Sequence, residues 1–158
     1  TGISDSFFET NRQEDAELLE QFTRLSWMDF EHEDALYAIL NVPTKYRLSP
    51  KKYESAIDEL RHAVSLKCPS SKANSAVKAC ELICSAIHEC NSSESDLSVG
   101  SEDLVFLLSW VIVQAQIPNL ATFFALVSEF IPEDLIRGQA GYVLATIQTS
   151  VDYIKSVQ

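Results

Sequence analysis

From Leu104 to Val113 every residue except Ser109 is apolar. An element of that composition has no face to offer water, so the rest of the chain must cover it on nearly all sides. Its entrance argues for a helix rather than a strand. Ser101 is placed as an N-cap, and Glu102 and Asp103 fall in the first turn, where carboxylates meet the positive end of the helix dipole and its unpaired amides. No Gly or Pro breaks the run, and Pro118 closes it. The pattern predicts a buried helix from Glu102 to Gln116, too short to cross a bilayer, which takes about twenty apolar residues.

The chain that must wrap this helix has 158 residues, nearly half of them apolar, enough for a proper core. Only 4 Gly and 5 Pro are present, and the apolar spacing is helical almost everywhere, which predicts an all-α fold. Ala16, Leu18, Leu19, Phe22 and Leu25 predict an amphipathic helix over residues 12–30. A short helix over His32 to Asn41 is ended by Val42-Pro43, because the residue before Pro avoids the α region. Ser49-Pro50 restarts the chain as N-cap and first helical residue, with Tyr53, Ala56, Ile57, Leu60 and Val64 as the buried stripe. After Pro69-Ser70-Ser71-Lys72 comes a helix that turns Val77, Cys80, Ile83, Cys84 and Ile87 inward. Residues 91–100 form a polar, Ser-rich connection expected to be mobile. Pro118-Asn119 opens a helix with Leu120, Phe123, Phe124, Leu126, Val127 and Phe130. Pro132-Glu133-Asp134 starts a short helix stopped by Gly138. The last helix, Gln139 to Val157, puts Ala140, Val143, Leu144, Ile147, Val151 and Ile154 on one face, with Tyr142, Ala145, Thr146 and Thr149 beside or opposite it.

The formal charge of −11 is uneven: residues 41–80 hold eight bases and three acids, and each flank holds ten acids and two bases. This balance disfavours nucleic acid and anionic membrane as partners and favours a protein with a basic face. Four cysteines without a CxxC pair or signal peptide read as reduced, intracellular thiols. A chain starting Thr1-Gly2 is expected to be a piece of a longer one, with upstream targeting signals out of view. Cys80, Cys84 and His88 share one helix face at i, i+4 and i+8. A zinc site with Cys68 or Cys90 is the sharper reading, and small buried hydrophobes the plainer one, so no metal is expected. No glycine-bearing turn surrounds a Ser or Cys, and no Gly loop cradles phosphate, so neither hydrolase nor transferase chemistry nor a bound nucleotide or other cofactor is expected. What remains is the acid pair Glu102-Asp103, an ordinary dipole partner unless a partner protein reads it.

Five motifs in register bear on that choice: Gly100-Ser101-Glu102-Asp103-Leu104, Ile117-Pro118-Asn119-Leu120, Glu129-Phe130, Gly138-Gln139-Ala140-Gly141-Tyr142 and Val151-Asp152-Tyr153-Ile154. Together, with Pro69-Ser70-Ser71-Lys72, they resemble the vacuolar protein sorting nine domain, the catalytic module of exchange factors for the Rab-five branch of small GTPases. The resemblance implies a layered helical bundle, with residues 49–158 as the domain and residues 1–48 as N-terminal supporting helices. It also implies a groove between the central and last helices that takes the GTPase switch regions. An acid at the start of the central helix would compete there for the Lys and metal that hold the phosphates.

Carried over by position, the finger acid falls on Glu102 with Asp103 beside it, and Tyr142 is the retained groove tyrosine. Phe106 stands where the family has Pro, Gln139 where an acid is usual, and Ala145 where a Thr is usual; Thr146 and Thr149 complete the groove set. Glu102 is one methylene longer than Asp and still reaches a Lys, at a cost in side-chain entropy. Losing the Thr hydroxyl costs roughly 0.5–1.5 kcal/mol where that group makes a hydrogen bond. The resemblance thus implies a guanine nucleotide exchange factor that is cytoplasmic and recruited to endosomes, with a small GTPase as partner, no nucleic acid and no direct membrane insertion; oligomeric state is left open. The altered groove positions support an alternative, a degenerate domain that binds a GTPase or other protein and exchanges nothing.

Overall fold

The computed structural model describes residues 2–28, 34–90 and 99–157, with the side chains of residues 2–8 and 10 left aside. Among these the fold is all-α: α1 Gly2–Met28, α2 Ala35–Ile39, α3 Glu54–Ser65, α4 Pro69–Cys90, α5 Ser101–Ala115, α6 Leu120–Phe130, α7 Glu133–Ile136 and α8 Gln139–Ser156, with 3-10 turns at Thr44–Tyr46 and Pro50–Tyr53. Among the described residues no helix is long and apolar enough to cross a membrane. Most of the connection expected to be mobile, residues 91–98, lies outside the described residues.

Helix α5 is central as its composition demands. Leu104, Leu107, Leu108, Trp110, Val111, Ile112 and Val113 are all buried, covered by α1, α2, α3 and α8. Trp110 anchors the middle: the Tyr37 ring of α2 stacks on it at 4.5 Å and 12°, and Tyr53 meets it edge-on at 5.6 Å. A buried tyrosine hydroxyl usually finds a partner, and although that of Tyr46 has none among the described residues, the other two are satisfied. Tyr37 donates to the Leu48 carbonyl at 2.7 Å, and Tyr53 donates to the Tyr46 carbonyl at 2.7 Å. The aromatic stack therefore also fixes the two 3-10 turns that lead into α3.

The bundle is tied together by groups on α1 that cap other helices. Asp15, almost fully buried, accepts from the Thr122 amide at 3.1 Å through Oδ1 and from the Thr122 hydroxyl through Oδ2, in the first turn of α6. Asn119, the residue before α6, makes no side-chain cap, so a carboxylate 107 residues away supplies it. At the opposite kind of end, Gln21 donates to the Ile154 and Val157 carbonyls at 3.0 and 2.8 Å, and Arg24 donates to Val157 at 3.0 Å. Negative charge at a helix start and a guanidinium at a helix finish both complement the dipole. Lys155 of α8 also pairs with Glu14.

Lys72, in the first turn of α4, is buried without a carboxylate. Its Nζ donates to the Val64 carbonyl at 2.8 Å and lies 5.3 Å from the Phe123 ring centre, and desolvation lowers its pKa. It joins the end of α3 to α4 and α6. Arg61 closes α5 in the same manner, donating to the Ala115 and Gln114 carbonyls at 3.0 and 3.2 Å.

Several local expectations are corrected. Ser49 makes no cap, and Pro50 opens a 3-10 turn, so α3 begins only at Glu54. The N-cap of α5 is Gly100, with extended backbone, and Ser101 is its first helical residue. Gln116 lies just beyond α5 in a left-handed conformation, φ 51°, which ends the helix. Asn41 does the same after α2, at φ 59°, ahead of Val42-Pro43. Cys84 is exposed because the buried stripe of α4 runs through Ala76, Ala79, Cys80, Ile83 and Ile87 and leaves it at the edge. Ala16 and Phe130 likewise face solvent. Burial pushes the Cys80 thiol up to about 12.

Two outcomes follow from this packing. Replacing Asp15 with Ala leaves the Thr122 amide and hydroxyl without their acceptor, a loss of about 1–3 kcal/mol, which denaturant unfolding will register. Tyr53 is held well above its ordinary value of 10.0, first by burial and then by the nearby Cys90 thiol. Its raised folded pKa contributes stability that is complete below pH 10 and is lost as pH rises toward the folded value. The Tyr53→Phe protein is therefore expected to lose less stability than the wild type between pH 9 and 11, at a cost near neutrality of about 1 kcal/mol for the missing hydrogen bond. Lys72, Cys80 and Cys84 are shifted in both proteins, so the difference reports Tyr53 together with its coupling to Cys90, Tyr46 and Cys84.

Candidate functional site

The candidate site lies where the starts of α5 and α8 meet. The two helices pack through a seam of small hydroxyl residues. Ser109 is fully buried and donates to the Val105 carbonyl at 2.7 Å; Ser150, also fully buried, donates to Thr146 at 2.8 Å and Val105 at 3.2 Å. Hydroxyls satisfied on their own helix bury without penalty, and their small size lets the backbones approach. Thr146 belongs to this seam: it is buried and donates to the Tyr142 carbonyl at 2.8 Å. That turns it into the wall rather than toward solvent.

At the solvent end of the seam, Tyr142 on α8 donates from its hydroxyl to Ser101 Oγ at 3.1 Å. The ring is half exposed. Glu102 is exposed and Asp103 partly buried in the first turn of α5, and neither carboxylate pairs with a cation among the described residues. Because Gly100 offers no side-chain cap, these acids are what compensates the first amides of α5. The other end of α5 is occupied by Arg61, so the helix presents a closed base and an open, acidic tip.

The remaining expected residues spread along α8. Gln139 is its exposed first residue, and Ala145 and Thr149 are exposed further along, Thr149 donating to the Ala145 carbonyl at 2.9 Å. Phe106 is partly buried and meets Tyr153 edge-on at 5.2 Å, about three turns of α8 beyond Tyr142. Tyr153 is itself held, donating to Leu40 at 3.0 Å and accepting from Asn41 at 2.8 Å. The structure places Tyr142 against Ser101, the residue before the acid pair, while Phe106, one turn along α5 from Glu102, packs at Tyr153 instead of Tyr142. Among the described residues no cluster of three His, Cys, Asp or Glu has metal-binding proximity.

Two residues that matter here carry no charge to announce them. Ser101 joins Tyr142 to the acid tip. Gly141 lets the start of α8 close on α7: a Cβ there would stand 1.7 Å from the Ile136 carbonyl oxygen. A glycine inside a helical pattern is the one sequence signal of such an approach.

The profile of the Vacuolar sorting protein 9 (VPS9) domain matches residues 53–158, and this chain belongs to that family. Among its relatives, VPS9 domain-containing protein 1 of Homo sapiens is 28% identical over 114 residues, covering 65% of this chain and 18% of the relative. Ras and Rab interactor 1 of Mus musculus is 26% identical over 103 residues, covering 65% of this chain and 13% of the relative. The chain thus spans less than a fifth of the length of the relatives it matches.

Adding a methyl at Gly141 forces α7 and α8 apart. The Gly141→Ala protein is expected to be destabilised by about 1–3 kcal/mol, the usual cost of overpacking. Backbone amide shifts in NMR spectra are expected to concentrate in residues 133–146.

Proposed function

We propose that this chain binds a small GTPase of the Rab-five branch at the junction of α5 and α8 and promotes release of its guanine nucleotide, with Glu102 as the acidic finger. Membership of the VPS9 family and likeness to a protein named for interaction with Ras and Rab support a small-GTPase partner. The observation that carries the site assignment is the carboxylate tip of α5, without a cation partner among the described residues, following directly on Ser101, which accepts from the half-exposed Tyr142. In this reading residues 1–48 support the bundle and residues 49–158 form the exchange unit, working in the cytoplasm at endosomal membranes.

The chemistry is a competition for charge. A GTPase holds its nucleotide through Mg²⁺ and a phosphate-binding Lys. A carboxylate that pairs with this Lys stabilises the empty state through a charge-assisted hydrogen bond and opposes the return of phosphate and metal. The acid must be ionised and held on a rigid element, and the positive end of the α5 dipole favours both. Glu102, exposed, is the better placed of the pair; Asp103, partly buried, is its flanking charge. Gln139, Tyr142, Ala145 and Thr149 form the α8 wall of the groove.

Phe106 favours a second reading. Its packing on Tyr153, together with Ala145 in place of a hydroxyl, fits a domain that binds a GTPase without exchanging nucleotide. Release of a fluorescent GDP analogue from a panel of Rab-five-branch GTPases, with excess domain, separates the two. The exchange reading expects acceleration of at least one member, reduced at least about tenfold by Glu102→Ala with the fold intact. Equal rates for Glu102→Ala and wild type would remove the finger assignment, and binding without acceleration would establish the second reading.

A further inference from the structure

Ser101 stands immediately before the proposed finger and is absent from the groove set read from the sequence. Its role follows from where α5 begins. A serine at an N-cap turns its hydroxyl onto the amides of its own first turn. In this chain Gly100 takes the N-cap and Ser101 makes no cap, so its Oγ is available to accept from Tyr142 at 3.1 Å. The bond spans 41 residues of sequence and joins the two helices at their solvent ends. It is the outermost of the hydroxyl bonds that cross between the helices; the inner ones run from Ser150 to the Val105 carbonyl at 3.2 Å and from Ser109 to the Ser150 carbonyl at 3.4 Å. The inner hydroxyls bond to backbone carbonyls and are fixed by burial. Tyr142, half exposed, is held to α5 by this side-chain contact.

We propose that Ser101 is a positioning residue of the site: its hydroxyl latches the Tyr142 phenol across the mouth of the groove and holds that ring against the first turn of α5 in the free protein. This rests on the exchange reading given above and adds to it a determinant on the acid side. A tyrosine on a helix surface otherwise samples several staggered rotamers, and a partner that needs one of them meets that population penalty on binding. Holding the ring in advance removes it. A single exposed hydrogen bond corresponds to an effect of about two- to fivefold, which belongs in the encounter with the GTPase rather than in the step that expels nucleotide.

The test measures nucleotide release as a function of domain concentration for the wild type, Ser101→Ala, Ser101→Thr, Tyr142→Phe and the double variant Ser101→Ala/Tyr142→Phe. The latch predicts a rise of about two- to fivefold in half-saturating concentration for Ser101→Ala with the maximal rate unchanged, and recovery in Ser101→Thr, which keeps the oxygen. It predicts the same loss in Tyr142→Phe and no further loss in the double variant. Side-chain scalar couplings of Tyr142 in the free protein give an independent readout: one dominant χ1 rotamer in the wild type and averaging in Ser101→Ala. An unchanged half-saturation in Ser101→Ala, additive losses in the double variant, or unaltered Tyr142 rotamers would overturn the latch while an active wild type kept the exchange reading. A wild type that neither binds nor accelerates any GTPase removes the exchange reading, and with it the role of Ser101 in that site, even if the rotamers respond.

Discussion

A helix that is apolar on nearly every side imposes one condition on everything around it: the polar groups it carries call for partners among its neighbours, because water cannot reach them, and among the described residues Trp110 Nε1 is left without one. The architecture is largely the set of answers to that condition. Ser109 bonds back to Val105, and Arg61 takes the last carbonyls of α5. Tyr37 and Tyr53 pack on Trp110 and carry their own hydroxyls to backbone carbonyls at Leu48 and Tyr46. Only the N-terminal tip emerges, and that tip holds the two carboxylates on which the proposed function turns.

The same logic operates between helices. The start of α6 and the finish of α8 lack adequate caps of their own, and α1 supplies both with side chains chosen by charge: a carboxylate for the start, an amide and a guanidinium for the finish. Lys72 extends the pattern with a cation that ends on a carbonyl and an aromatic face instead of an acid. These bonds explain why polar residues occur inside a bundle of this size. They specify which helix ends lie beside which, something apolar packing by itself does not discriminate.

Periodicity carried the fold because burial repeats at the helical spacing. The run Leu104 to Val113, the breaks at Pro43 and Pro118 and the inward faces of α3, α6 and α8 were all legible. Boundaries were less so: a proline opens a 3-10 turn as readily as an α-helix, which displaced the start of α3, and glycine rather than serine caps α5. The acid pair could be found because charge at a helix mouth is a local pattern. Its relation to Tyr142 came through the family motifs, and the contact through Ser101 escaped both routes, since a bond between residues 41 apart leaves no mark on local spacing. Asp15 escaped for the same reason; nothing in the sequence distinguishes it, as a buried acid, from the other acids of the first forty residues.

The fastening of α5 has a mechanical meaning. A helix gripped at its base by Arg61 and open at its tip is a post set in a socket, stiff along its axis and more compliant in bending. In the proposed encounter a body pressing on Glu102 would load the post lengthwise, and the load would be shared between Arg61, which ties the base to α3, and the helices α1, α2, α3 and α8 packed along its flanks. The body of the bundle, remote from that encounter, would then carry the reaction force that holds the acid in place.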